Sequence, residues 1–460
     1  MGYGVCLCDT IDSMKLVRSI ALVLFAQALA MAQTSAQGEP VVVFTDHPRL
    51  FLTASRLRLL KRERERNSPR WQQLDDLVTS DAPMPEPAFA LALHYQISGN
   101  RDSGTRAVQR AHSPDADLRQ LSLVYDWCQG VMTESQKTEL AARIARGLAA
   151  LGAEESVSTM RLRALAAVAL YDDVPDAPAR ELQRVAGAWW NGKAAPALNA
   201  GRGVIPRADV YALFEMLFAI RDSANVDLRE SCPRFFRELP IARLLTYYPA
   251  VFENAENDFR LGIEASPAQP DFHQAALSRA ADLAMADYDP NLEQSQYMQG
   301  WLAHDRFELR GAFGAPYEFL WSNPYQPGLN YFLAPLDYYD AGSGEVFMRS
   351  DWQDSATWIG WSGGAARRFA DGRLTALDEQ TAATFDLGSA AISFGGEQRK
   401  FVAKLTEDEK LYAVALVPRK VYQVEIDDEE VYEAAADNGG VLELDLPADK
   451  QVGVRIRAAR

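Results

Sequence analysis

The chain has 460 residues, with 63 Asp and Glu against 47 Lys and Arg and a formal net charge of −16. That balance argues against nucleic acid and anionic membrane surfaces as partners, and an acidic ligand would need a local basic patch. Hydrophobic residues make up 48% of the chain, enough for large cores, and the length suggests two domains.

Lys15 and Arg18 precede an apolar run from Ile20 to Ala30, and Ala30-Met31-Ala32 fits a signal-peptidase site. Residues 1–32 therefore read as a signal peptide, with Met14 an alternative start, and the mature chain is expected to be secreted or periplasmic. A membrane anchor is the competing reading, but the apolar run is short for a span. Cys6 and Cys8 fall before the cleavage site, which leaves Cys128 and Cys232 as expected free, buried thiols.

Residues 33–47 form a linker. His47-Pro48-Arg49-Leu50-Phe51-Leu52 then leads into a helix capped by Thr53, with Leu57, Leu59 and Leu60 as its apolar stripe. From Pro87 to about Ala286 the pattern is serial helix pairs. One helix ends at Gly99, and Thr133 with Gln136 three residues on predicts a capping box. Helix–turn–helix units without intervening strands suggest an α/α toroid or solenoid over residues 48–330. After Trp321 prolines and glycines interrupt the chain, and from Leu336 short alternating segments (EVFMR, ATWIGW, LYAVALV, VYQVEI, VLELDL, VGVRIR) predict an antiparallel β-sandwich over residues 331–460. The fold class expected is thus α+β, a helical toroid followed by a β-sandwich.

The stretch from Gly344 to Glu397 contains MRSDW, an Arg-rich segment GGAARRFADGRLTAL read as a loop, and two strands hinged at Leu387-Gly388. It resembles the start of the β-domain of heparinase II/III-type polysaccharide lyases, and HPRLFLTASRLRLLK, LSLVYDWC and LAAVALYDDVP resemble the helical domain of that superfamily. The resemblance implies a uronate-polysaccharide lyase with its site between the domains. It departs from this chain at the histidines: Ala376 and Leu374 stand where the family places them.

A lyase of this kind needs a group to neutralise the substrate carboxylate and a base for the α-proton, usually with a Tyr to protonate the leaving oxygen. By resemblance Tyr211, in GRGVIPRADVYALFEMLFAIRD, is the catalytic candidate; Ala212 and Arg207 replace the family's His and acid there. No Asn or His occupies Glu155 to Met160, where the family carries its neutraliser, and Asn191 and Asn199 belong to the next loop. Arg367, Arg368 and Arg373 fall where the family's histidine loop lies. With Arg202 and Arg207 across the cleft they are the candidate substrate-binding residues, since guanidinium groups bind carboxylates bidentately. A solvated loop of scattered charge is the alternative.

His47, His94, His112, His273 and His304 are the histidines, and none has metal-ligand spacing to another. No metal or other cofactor is expected; a tightly held ion would point to Asp351, Asp378 or Asp386. His94 reads as a satisfied core residue, while His273 opens a helix and could face a cleft. Trp189-Trp190 could stack on a sugar, although at least one fits a core. The expected partner is an acidic polysaccharide or oligosaccharide. Three readings remain open: an active lyase, a non-catalytic glycan-binding homologue, and a structural envelope protein.

Overall fold

The computed structural model describes residues 40–202, 205–304, 308–378, 383–395, 399–404, 409–428, 430–447 and 451–459. The expected signal peptide, Cys6, Cys8 and residues 33–39 of the expected linker lie outside these residues.

The chain is α+β in two parts, a helical N-terminal region and a sheet-rich C-terminal region. The helices are α1 (Ala54–Glu65), α2 (Pro69–Thr79), α3 (Pro87–Ser98), α4 (Arg101–Ala111), α5 (Leu118–Trp127), α6 (Glu134–Ala150) and α7 (Val157–Ala169). They continue as α8 (Ala177–Leu182), which runs into a π-helical stretch Gln183–Ala194, then α9 (Ala195–Asn199), α10 (Val210–Ala224), α11 (Pro233–Leu245), α12 (Phe272–Tyr288), α13 (Glu293–His304) and α14 (Gly311–Trp321). Thr53 caps α1, Thr133 and Gln136 form the capping box of α6, and Gly99 stops α3 at φ 73°.

Among the described residues α3, α5, α7, α10, α12 and α14 touch in that order, and α14 returns to α3, closing a ring. These inner helices are rich in Ala and Leu and buried nearly all round, which is what a helix enclosed by neighbours on every side requires. The N-terminal segment docks by polar contacts: Asp126 accepts the backbone N–H groups of Arg49 and Leu50, and Trp127 Nε1 donates to Leu50 O at 2.9 Å. A two-residue ladder, β1 (Phe252–Glu253) with β2 (Asp258–Phe259), sits in the loop between α11 and α12 and leaves the ring uninterrupted.

The sheet region has three sheets in stacked layers. The first is β3 (Asp337–Asp340), β4 (Glu345–Arg349), β5 (Trp358–Ser362), β6 (Ala365–Ala370) and β7 (Arg373–Leu377), paired in chain order. Next come β8 (Ala383–Asp386), β9 (Ala390–Phe394), β10 (Arg399–Lys404), β11 (Glu409–Ala413), β12 (Val421–Ile426), β13 (Glu430–Ala435), β14 (Leu442–Leu446) and β15 (Gln451–Ala458). They form a second sheet, β14-β11-β9-β8, and a third, β10-β15-β12-β13. The second sheet is buried on both faces: Ile392 and Phe394 pack toward the first sheet, and Ala391 and Leu411 toward the third. The expected antiparallel pairing holds throughout except for β9 and β11, which run parallel. Their near-continuous apolar runs suit a strand pair covered on both sides.

The outer face of the first sheet closes on the helical ring. Phe347, Trp358 and Phe369 join the helical core, Trp358 Nε1 donates to Leu245 O at 2.6 Å, and Phe369 stacks on Tyr248 at 5.2 Å. The backbones of Gly201 and Gly342 meet at one lip of this junction, where a Cβ on Gly201 would lie 2.2 Å from Gly342 Cα.

Candidate functional site

The segment expected to be an Arg-rich loop is a β-meander. Gly363-Gly364 (φ 58° and 76°) and Asp371-Gly372 (φ 50° and 71°) form two-residue turns with both central residues at positive φ, the geometry that matches strand twist in a tight hairpin. Strand alternation then separates the arginines. Arg367 shares its face with Phe369, toward the helical ring, and its Nη1 donates to Ile263 O at 2.9 Å. Arg368 and Arg373 lie on the opposite face, with Ala366, and Arg373 is exposed. The three do not form one patch, because adjacent residues in a strand point to opposite sides.

Tyr211 is placed in the interior of the ring, at 3% exposure, and lines none of the cavities described below. Its hydroxyl donates to Glu215 Oε1 at 2.8 Å and accepts from Trp321 Nε1 at 3.0 Å, with Arg119 Nη2 at 3.4 Å. Burial pushes the phenol well above its ordinary range, and the Glu215 charge adds to the shift. Glu215 in turn holds Arg119 through Nε and Nη2 and Arg161 through Nη1 at 3.1 Å. Burial favours the neutral carboxyl, but these two arginines outweigh it and keep its pKa low. Tyr211 sits in the first turn of α10, and ring closure turns that first turn inward.

Arg202 is exposed and lines no described cavity. His94 is a satisfied core residue, between Ser103 and Asp75 and stacked on Trp71 at 5.2 Å. His273 is exposed, and its ring packs on Phe313 at 4.5 Å. Trp189 and Trp190 are both buried, and Trp190 Nε1 donates to Leu228 O at 2.7 Å. Cys128 and Cys232 are buried and free; burial pushes the Cys232 thiol up to about 12. Among the described residues no cluster of three or more His, Cys, Asp or Glu is arranged to hold a metal. Asp351 and Asp386 instead cap their own turns, accepting from Gln353 N at 2.7 Å and Gly388 N at 2.8 Å. No helix among the described residues is long and apolar enough to cross a membrane.

Arg207 alone of the expected residues lines a cavity. This cavity, about 430 Å³, lies at the junction of the ring and the first sheet, between α9, α11, residues 263–264 and the β3–β4 turn. Arg207 is anchored: Nε donates to Ser278 Oγ at 3.0 Å, Nη1 reaches Thr246 Oγ1, and the guanidinium lies 3.9 Å over the Tyr247 ring. Glu264 is its nearest acid, at 3.7 Å, beyond good hydrogen-bond reach. Its Nη2 is buried without a partner.

Arg243, which the sequence reading passed over, lines the same cavity at 3% exposure. Nε donates to Asp282 Oδ1 at 2.6 Å and Nη2 to Ser278 Oγ at 2.9 Å, while Nη1 is left without a partner. Burial opposes its charge, yet Asp282 overcomes this and raises its pKa. The available signal was a charged residue inside the apolar face of PRFFRELPIARLL, between Ile241 and Leu244. Arg207 and Arg367 do converge, on residues 262–264, so one part of the expected cross-domain arrangement is present.

No family model matches the chain, and no curated protein matches it. Among solved structures, a chain titled "Glycoside hydrolase" aligns with 91% of this chain and 77% of its own length, at 9% identity and a TM-score of 0.32. An alignment this loose carries neither activity nor substrate across.

Proposed function

We propose that this protein is a secreted glycan-binding protein that recognises an acidic saccharide in the junction cavity. The observation that carries the reading is the pair of buried guanidinium nitrogens, Arg207 Nη2 and Arg243 Nη1, that lack partners while their residues line one cavity. Buried polar groups are nearly always satisfied, and a carboxylate or sulfate is the natural complement to two such donors. The resemblance to heparinase II/III-type lyases points to the same ligand class. Recognition is favoured over β-elimination because neither nearby phenol is poised to give up its proton; the other acids lining the cavity are the carboxylates Glu238, Glu264, Asp340 and Glu345. Tyr211 is sealed in the ring, and Tyr338, the phenol lining the cavity, is pushed above its ordinary range by burial and by Asp340 and Glu238, so it stays protonated.

Titration calorimetry with uronate oligosaccharides and their carboxyl-reduced, neutral counterparts tests this. Acidic forms should bind tighter, with affinity falling as salt rises. Arg207→Lys, which keeps the charge but replaces the three-nitrogen guanidinium with a single ammonium, should weaken acidic ligands by about tenfold or more, in line with a charge-assisted hydrogen bond. Incubation with polymeric uronates should give no ultraviolet absorbance from unsaturated products. Equal affinity for acidic and reduced forms, or release of unsaturated product, would overturn the reading.

A further inference from the structure

A second cavity of about 430 Å³ lies further along the same junction, beside the β1–β2 hairpin. A smaller cavity of about 170 Å³ neighbours both: it has Arg207 and Glu264 in common with the junction cavity and Arg260 in common with the second.

Aromatic rings form one wall of the second cavity. Tyr331 and Phe332 lie 4.4 Å apart, Tyr331 meets Trp352 edge-on at 5.8 Å, and His304 packs on Phe332 at 5.5 Å. Trp352 is held by its indole N–H to Ala334 O at 3.1 Å and by the Arg349 guanidinium 4.3 Å over its ring. Phe332 is 38% exposed, an apolar face open to an otherwise polar cavity. The facing wall is acidic. Asp354 is paired with Arg260 at 2.7 Å and Glu308 lies 3.7 Å from Arg70, whereas Glu256 and Asp258 make no ion pair among the described residues. Among the described residues the further arginine lining the cavity beside these two carboxylates is Arg310.

We infer that this second cavity binds an uncharged pyranose ring of the same saccharide whose acidic residue occupies the junction cavity. A sugar presents an apolar C–H face, which stacks on an aromatic ring, and a rim of hydroxyls, which donate to carboxylates and accept from an arginine. An added carboxylate there would meet Glu256 and Asp258 at close range and be disfavoured. The ligand is therefore a linear oligosaccharide in which an acidic residue is followed by an uncharged one, laid along these neighbouring cavities. The placement of the acidic residue rests on the function proposed above; the uncharged-ring site stands on its own lining.

Three hexasaccharides separate these ideas by calorimetry: one wholly of uronate, one wholly of neutral glucose, and one alternating glucuronate with glucose. The alternating ligand should bind about tenfold tighter than the wholly acidic one, a difference of 1.4 kcal/mol. Phe332→Ala should reduce that advantage to about twofold or less and abolish weak binding of the neutral hexasaccharide. It should leave the wholly acidic ligand unchanged, with the melting temperature confirming the fold. Glu256→Gln with Asp258→Asn should narrow the preference against the wholly acidic ligand. If Arg207→Lys leaves acidic affinity intact while Phe332→Ala still abolishes neutral binding, the function proposed above fails and the uncharged-ring site stands. Equal affinity of the wild type for alternating and wholly acidic ligands, or neutral binding that survives Phe332→Ala, would overturn the inference.

Discussion

Arg119, at the centre of the ring, and Arg207 and Arg243, at the junction, are completed in different ways. At the centre of the ring every guanidinium nitrogen of Arg119 has a partner: Nε and Nη2 on Glu215, and Nη1 on Glu86 at 3.1 Å. At the junction with the first sheet, Arg207 and Arg243 are anchored as firmly, yet each keeps one nitrogen without a partner. A buried charge is tolerated when its counter-charge and hydrogen bonds are all internal. Arg207 and Arg243 line a cavity while one nitrogen of each lacks a partner, and the proposed ligand would complete them. The difference teaches that a charged cluster should be judged by what remains open, since burial and pairing alone describe both regions.

The largest effect should come from breaking the ring centre. Glu215→Gln leaves Arg119 and Arg161 without their shared carboxylate, and a loss of about 3–5 kcal/mol in denaturant-measured stability is expected. Saccharide affinity, measured under conditions where the variant remains folded, should barely move. A loss below about 1 kcal/mol would mean the ring-centre charges are better solvated than their burial indicates.

Tyr211→Phe sharpens the same contrast more gently. It removes a donor to Glu215 and an acceptor for Trp321, so about 1–3 kcal/mol of stability should be lost with no change in saccharide binding. A binding defect at unchanged stability would restore Tyr211 to the functional site.

Acidification should also act on the ring. The folded-state pKa of Glu215 is depressed, so its contribution is present above the ordinary carboxylate range and lost as pH falls through the depressed value. His94 is depressed as well, by burial first, against the opposing pull of Asp75. Its contribution is present above its ordinary value of about 6.5 and fades as pH falls from there. Stability should thus decline on acidification in two stages, and His94→Gln should flatten the earlier one in a pH series of unfolding midpoints.

The smallest effects should come from the arginines on the far side of β6 and β7. Arg368→Ala and Arg373→Ala should leave saccharide affinity unchanged, and exposed Arg373 should cost no more than about 0.5 kcal/mol. Affinity lost at Arg373 would show that the ligand extends around the edge of the first sheet.

Much of the fold was legible residue by residue. Thr53, Gly99 and the Thr133–Gln136 box mark helix ends because they satisfy backbone groups locally. EVFMR, VYQVEI and VGVRIR declare strands by their alternation. The meander around Arg367 was also written locally, in Gly363-Gly364 and Asp371-Gly372, and was missed because charge drew attention away from turn chemistry.

What the sequence by itself determined is the order and type of the elements, together with the helical part preceding the sheets, since capping, periodicity and turn preference act over a few residues. The tertiary structure alone decided which polar groups face a cavity. Tyr211 and Arg207 lie four residues apart, yet closure of the ring buries the first against Trp321 while docking of the first sheet leaves the second beside open space. The partner that satisfies Arg119 is 96 residues away and that of Arg243 is 39, and for Arg207 Nη2 the fold supplies none. Spacing along a chain carries no record of such distant completions, because they depend on how separately formed elements pack.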